Sequence, residues 1–183
     1  MFVSCDDPGP FSQTEYLCSD EGLPAEAPAI RLGRIDDDRF VELTDGEALS
    51  LDYGPQGGSH VFLSARYFGD DRERLLVLRF VGDGGAGGAG GAGGAGGAGG
   101  AAPSTFEHAE TYVLSDNFDA GECEGRWYEL RDLVFQVSLN YGDARGTLTA
   151  SIGTCPASGC AVEGSSYVLT TVDATTSVDV SIR

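Results

Sequence analysis

The chain has 183 residues, with 29 acidic side chains against 11 basic ones and a net charge of −18, and every basic residue is an arginine. The absence of lysine excludes Schiff-base chemistry, a Walker lysine and lysine isopeptide cross-links, and so negative a chain repels phosphate backbones and anionic headgroups. No run approaches the roughly 18 to 20 apolar residues that span a bilayer, so neither nucleic acid nor membrane insertion is expected.

Residues 1–29 carry Pro8, Pro10, Pro24 and Pro28 without sustained periodicity, which predicts an extended N-terminal arm able to add a strand to a neighbour's open sheet edge. Within it, Phe2-Val3-Ser4-Cys5 resembles the end of a bacterial lipoprotein signal, where a small residue precedes the cysteine that is lipidated. Phe2 departs from the usual leucine-like residue. The resemblance implies a lipid anchor at Cys5; the alternative is an unpaired or intermolecularly paired thiol.

From Ile30 onward, short runs alternate apolar and polar residues between turn signals, and no window shows a 3.6-residue apolar stripe. The expected fold is all-β: an Ig-like antiparallel β-sandwich of about nine strands over residues 30–183, interrupted at 84–101. Val61, Leu63, Ala65 and Tyr67 share one strand face. Leu75 to Val81, apolar on both faces apart from Arg79, reads as a central strand.

Ahead of the first of these strands stands Gly54-Pro55-Gln56-Gly57-Gly58-Ser59-His60, with Arg66 further along. The heptapeptide resembles a turn in uncharacterised exported β-sandwich proteins, many of them predicted lipoproteins, of high-GC Gram-negative bacteria. The resemblance implies export and a sandwich fold, and no activity. On physical grounds alone, Gly57 and Gly58 permit positive φ before the chain enters the sheet.

Residues 84–101 read Gly-Gly-Ala six times. One reading is a flexible linker. The other follows from the period of three, which matches the three residues per turn of a polyproline II helix and leaves two bare glycine edges. Such helices lie side by side with backbone groups paired between neighbours, an arrangement that resembles the bundles of glycine-rich antifreeze proteins. The preferred assembly positions are therefore Gly84, Gly85, Ala86, Gly87, Gly88, Gly90, Gly91, Gly93, Gly94, Gly96, Gly97, Gly99 and Gly100. A single rod would measure about 56 Å, longer than the sandwich, so the run is expected to fold back as two legs or to cross onto another copy.

Further along, His108 and the earlier His60 are the only histidines, and neither accompanies a nucleophile elbow or a metal-binding pair, so no catalytic residue is assigned. His60 is expected to brace the glycine turn. Acidic clusters occur at Asp36-Asp37-Asp38, at Asp70-Asp71 and around Asp116, Asp119 and Glu122. The last is the richest in possible calcium ligands, although it lacks EF-hand spacing and a solvated loop is the preferred reading, and no cofactor is otherwise indicated. Trp127 and Tyr128 are expected in the sheet interface. Leu133, Phe135, Val137 and Leu139, then Leu148, Ala150 and Ile152, then Val178, Val180 and Ile182 mark three more inward strand faces.

The five cysteines read as an oxidised set, because none shows zinc-ribbon spacing. Cys155 and Cys160 bracket Pro156-Ala157-Ser158-Gly159, a turn that can bring them within disulfide reach. Cys18 pairs with Cys123 or with Cys5. These readings combine into a non-enzymatic, extracellular or cell-surface structural protein that associates with itself through the glycine run and the arm. The alternative is a monomeric envelope lipoprotein that binds a protein, a glycan or calcium.

Overall fold

The alternating runs build two antiparallel sheets packed face to face. The computed structural model describes residues 14–53, 59–69, 74–84, 104–113, 122–137, 144–155, 161–163 and 166–183. Its strands are β1 (Glu15–Ser19), β2 (Ala29–Asp36), β3 (Arg39–Glu42), β4 (Glu47–Leu49), β5 (Asp52–Tyr53), β6 (Ser59–Phe68), β7 (Leu75–Gly84), β8 (Ser104–Val113), β9 (Trp127–Val137), β10 (Ala144–Thr154), β11 (Ala161–Glu163), β12 (Ser166–Val168) and β13 (Thr171–Ile182). The first sheet runs β1-β9-β6-β2-β3, with β5 on one end of β6; the second runs β4-β13-β10-β7-β8, and β11 pairs with β12 apart from both. Every pairing is antiparallel except that of β4 with β13.

Successive strand residues point to opposite faces, so each sheet offers one apolar face to the other. Val61, Leu63, Ala65 and Tyr67 of β6 meet Leu133, Phe135 and Val137 of β9, Leu148, Ala150 and Ile152 of β10, and Val178, Val180 and Ile182 of β13 in one buried core. These are the inward faces expected from the sequence. Leu139 lies outside the described residues.

Three expectations change. Trp127 and Tyr128 cannot share a face, being adjacent on one strand; Tyr128 enters the core, whereas Trp127 is buried on the outer face of the first sheet. The strand β7 is flanked by β10 and β8, but only Leu76, Leu78 and Phe80 face the core, and Val81 on its other side is 41% exposed. The arm does not extend to residue 29. Glu15–Ser19 pairs antiparallel with β9, with Tyr16 and Cys18 packed against the core. Two inward residues in a proline-bearing segment are too few to show a period of two.

A disulfide between Cys18 and Cys123, with Cα atoms 5.2 Å apart, fastens this strand to the segment leading into β9. The register of β6 on β9 slips between Leu63 and Ala65, where Asp132 adopts φ 53°. The bulge restores alternation, so that Leu130 and Leu133 both face inward despite their odd spacing. Asp37 and Asp38, with φ of 47° and 61°, form the two-residue turn between β2 and β3. Aspartate tolerates that conformation, and twisted hairpins require it.

Candidate functional site

The glycine run is inserted in a hairpin. Strand β7 ends and β8 begins on one cross-strand pair, Gly84 with Ser104, preceded by Asp83 with Thr105. Residues 85–101 lie outside the described residues, but their chain leaves and rejoins the sandwich at neighbouring points of the same sheet. Below this point, Gly82 faces Gly146 across β7 and β10. A Cβ on Gly146 would stand 2.3 Å from the Val81 carbonyl oxygen, and one on Gly82 would stand 2.5 Å from the Phe80 ring. The ring therefore lies flat over two bare backbones, so the pedestal of the run is built by close approach.

Beside the pedestal runs β8, the end strand of the second sheet. His108 Nε2 lies 3.0 Å from Glu110 Oε1, on the face that turns toward the first sheet. There the His108 ring meets Phe135 edge to face, with centroids 5.1 Å apart. Tyr112 donates its hydroxyl to the Val134 carbonyl oxygen at 2.8 Å. Burial pushes the phenol well above its ordinary value, and the charges of Glu110 and Tyr16 add to the rise. On the opposite face Arg79 Nε pairs with Glu107 at 2.7 Å, which raises the guanidinium and lowers the carboxyl. Val77, Val81, Ala109, Val168 and Val172 line a groove of about 390 Å³ on that outer face.

A second polar assembly lies on the outer face of the first sheet. Arg66, on β6, stands opposite Glu129 on β9 and opposite Arg31 on β2. Its Nε donates to Glu129 Oε2 at 2.5 Å, and its Nη1 and Nη2 donate to the carbonyl and carboxylate of Glu21, each at 3.3 Å. Arg131 Nε donates to the other oxygen of Glu129 at 2.6 Å. Phe40 lies 4.3 Å from the Arg66 guanidinium, and its ring occupies the place a Cβ on Gly33 would need. Trp127 sits beneath the Arg31 guanidinium and donates Nε1–H to the Gly22 carbonyl oxygen at 3.3 Å. Glu21 and Gly22 therefore cap this layer. Its three arginines and three glutamates balance in charge, with Glu42 on Arg31 at 3.3 Å.

The residues expected to act fall in different places. Of the assembly positions only Gly84 is described, at the hairpin pair; Gly85, Ala86, Gly87, Gly88, Gly90, Gly91, Gly93, Gly94, Gly96, Gly97, Gly99 and Gly100 lie outside the described residues. So do Cys5, Cys160, Asp116, Asp119 and Asp70-Asp71. Cys155 is disulfide-bonded. Glu122 is exposed, and its carbonyl oxygen accepts a bond from Arg126. Asp36 pairs with Arg34 at 3.1 Å, and among the described residues no three acidic, histidine or cysteine side chains converge on a point that could hold a metal ion. His60 is half-buried on β6, opposite Asp52 and edge to face with Phe62 at 4.8 Å. β5 pairs with the start of β6, Tyr53 opposite Ser59, and the glycine-rich turn between them lies outside the described residues.

The sequence reading missed the Arg66–Glu129–Arg131 layer. Its signal was Glu129 and Arg131, two residues apart on one strand face, with charges amid an otherwise apolar run. Comparison with known protein families, curated proteins and solved structures finds no match.

Proposed function

We propose that this protein is a non-enzymatic, exported structural subunit that associates with copies of itself through its Gly-Gly-Ala run. The observation that carries the reading is the pairing of Gly84 with Ser104. A run that starts and ends on one cross-strand pair must turn back, so polyproline II geometry would give two antiparallel legs of about 28 Å projecting from one end of the sandwich. Each leg presents glycine edges whose N–H and C=O groups need partners, and a single pair of legs satisfies only part of them. Ordering the run costs roughly 1 to 2 kcal/mol per residue, which alanine methyls bury too little area to offset. Hydrogen bonds between runs of different copies supply the difference.

Export agrees with the Cys18–Cys123 disulfide, which is compatible with an oxidising compartment. The apolar groove on the outer face of the second sheet favours a second reading, a monomeric envelope lipoprotein anchored at Cys5 that binds a protein, glycan or calcium. Size-exclusion chromatography with light scattering and negative-stain microscopy separate the two. Large assemblies that are lost in Gly93→Val/Gly94→Val, with the sandwich still folded by circular dichroism, support self-association. A stable 19.0 kDa monomer sinks it.

A further inference from the structure

The ten residues Ser104–Val113 of β8 pair with β7 along their whole length, without a register shift. Among the described residues no strand pairs with the other side of β8. From Ser104 to Tyr112, alternate N–H and C=O groups therefore point away from β7 over about 30 Å. Of the other end strands β3 has four residues, β4 has three, and β1 has five and is fastened by a disulfide; β4 covers β13 only at Val180–Ile182. The β8 edge holds no proline, lysine or arginine; its charged and titratable residues are Glu107, His108 and Glu110.

Its charges select a partner. Directly opposite residues in an antiparallel ladder share one hydrogen-bonding sense, so two copies of one strand related by a two-fold axis must centre on a residue. Centring on Glu107 or Glu110 sets carboxylate against carboxylate, and centring on His108 sets imidazole against imidazole. Centring on Ala109 sets each His108 opposite Glu110 of the other copy, and each Glu107 opposite Thr111. His108 and Glu110 already lie 3.0 Å apart within one chain, so the pair of strands would join four such groups in alternating order.

We propose that β8 pairs antiparallel with β8 of a second copy, centred on Ala109, joining the two five-stranded sheets into one sheet of ten strands. This contact is separate from the glycine run and does not depend on it.

The test uses the full chain carrying Gly93→Val and Gly94→Val, which removes association through the run. Sedimentation equilibrium in roughly 0.3 M salt, to screen the −18 charge, should show a reversible dimer. Adding His108→Glu sets glutamate against glutamate twice, and adding Glu110→Lys instead sets lysine against histidine twice. Each should weaken the dimer about tenfold. An equal mixture of the two differently altered chains restores a complementary pair at both places, because the introduced glutamate faces the introduced lysine while the unaltered His108 faces the unaltered Glu110. That mixture should dimerise as tightly as the parent. Pairing within one chain cannot produce that recovery. A parent that stays monomeric at about 0.5 mM overturns the proposal. So does a dimer that neither substitution weakens, or a mixture no tighter than its components.

Discussion

Glu129 is wholly buried, and it is tolerated because both its oxygens accept arginine hydrogen bonds, from Arg66 and from Arg131. Removing it would leave Arg66, 5% exposed, with only the exposed carboxylate of Glu21 as a counter-charge. Glu129→Ala is therefore expected to cost about 3 to 5 kcal/mol in urea unfolding, whereas Glu107→Ala, which breaks an exposed pair with Arg79, should stay within experimental scatter. Two other groups shape the pH dependence. Burial pushes the Glu47 carboxyl up, but hydrogen bonds from Arg34 and Thr44 together outweigh it, so the folded value lies below the usual one. Its contribution is present above the unfolded carboxylate range and disappears as pH falls through the folded value. Tyr112 is shifted upward by burial. Its contribution is full below the ordinary phenol value near about 10 and is lost as pH rises toward the folded value. Stability measured against pH should thus show an acid limb flattened by Glu47→Gln and an alkaline limb flattened by Tyr112→Phe. The latter also loses about 1 kcal/mol at neutral pH with the bond to Val134. Unchanged limbs would remove these two groups as the cause.

The long strands were legible because ten or more residues give alternation room to show, as β6, β9, β10 and β13 do. Strands β3, β4 and β5 are four, three and two residues long, and nothing of that length has a measurable period. The choice between Cys5 and Cys123 for Cys18 was open in sequence because it depends on β1 lying beside β9, a contact made 105 residues along the chain. The outer arginine layer was hidden for a similar reason: Arg66, Glu129 and Arg31 meet only through two registers. Converting Cys18 and Cys123 to alanine opens the loop that holds β1 and should cost about 2 to 5 kcal/mol, with proteolysis beginning near Tyr16. At the pedestal, Gly146→Ala brings a methyl against the Val81 carbonyl oxygen, which is backbone and cannot turn aside. A loss of about 1 to 3 kcal/mol is expected in thermal unfolding. If Gly146→Ala were neutral, the close packing of β7 on β10 would not be what shapes the base of the run.

For the whole molecule, the two proposed contacts sit on one hairpin and differ in direction. The run leaves from the N-terminal end of β8, and a two-fold pairing of β8 reverses the second strand, so the two runs of a dimer would project from opposite ends. A dimer with one run at each end can join a further dimer at either end, and repetition gives a linear filament with two alternating kinds of contact. Mutual repulsion of chains carrying −18 each opposes growth at low ionic strength, and salt should promote it. The alternation makes the last prediction specific. Glu110→Lys, which weakens the strand contact alone by about tenfold, should shift growth back toward units held by the glycine runs. Gly93→Val/Gly94→Val should stop it at pairs held by β8, and all three substitutions together should move those pairs about tenfold toward the 19.0 kDa monomer. Analytical ultracentrifugation of the four proteins at one concentration and salt reads the outcome directly. Filaments as extensive in Glu110→Lys as in the parent would mean that the glycine runs build the polymer without the sheet edge, whereas a triple variant that dimerises as tightly as Gly93→Val/Gly94→Val would require a contact that neither feature provides.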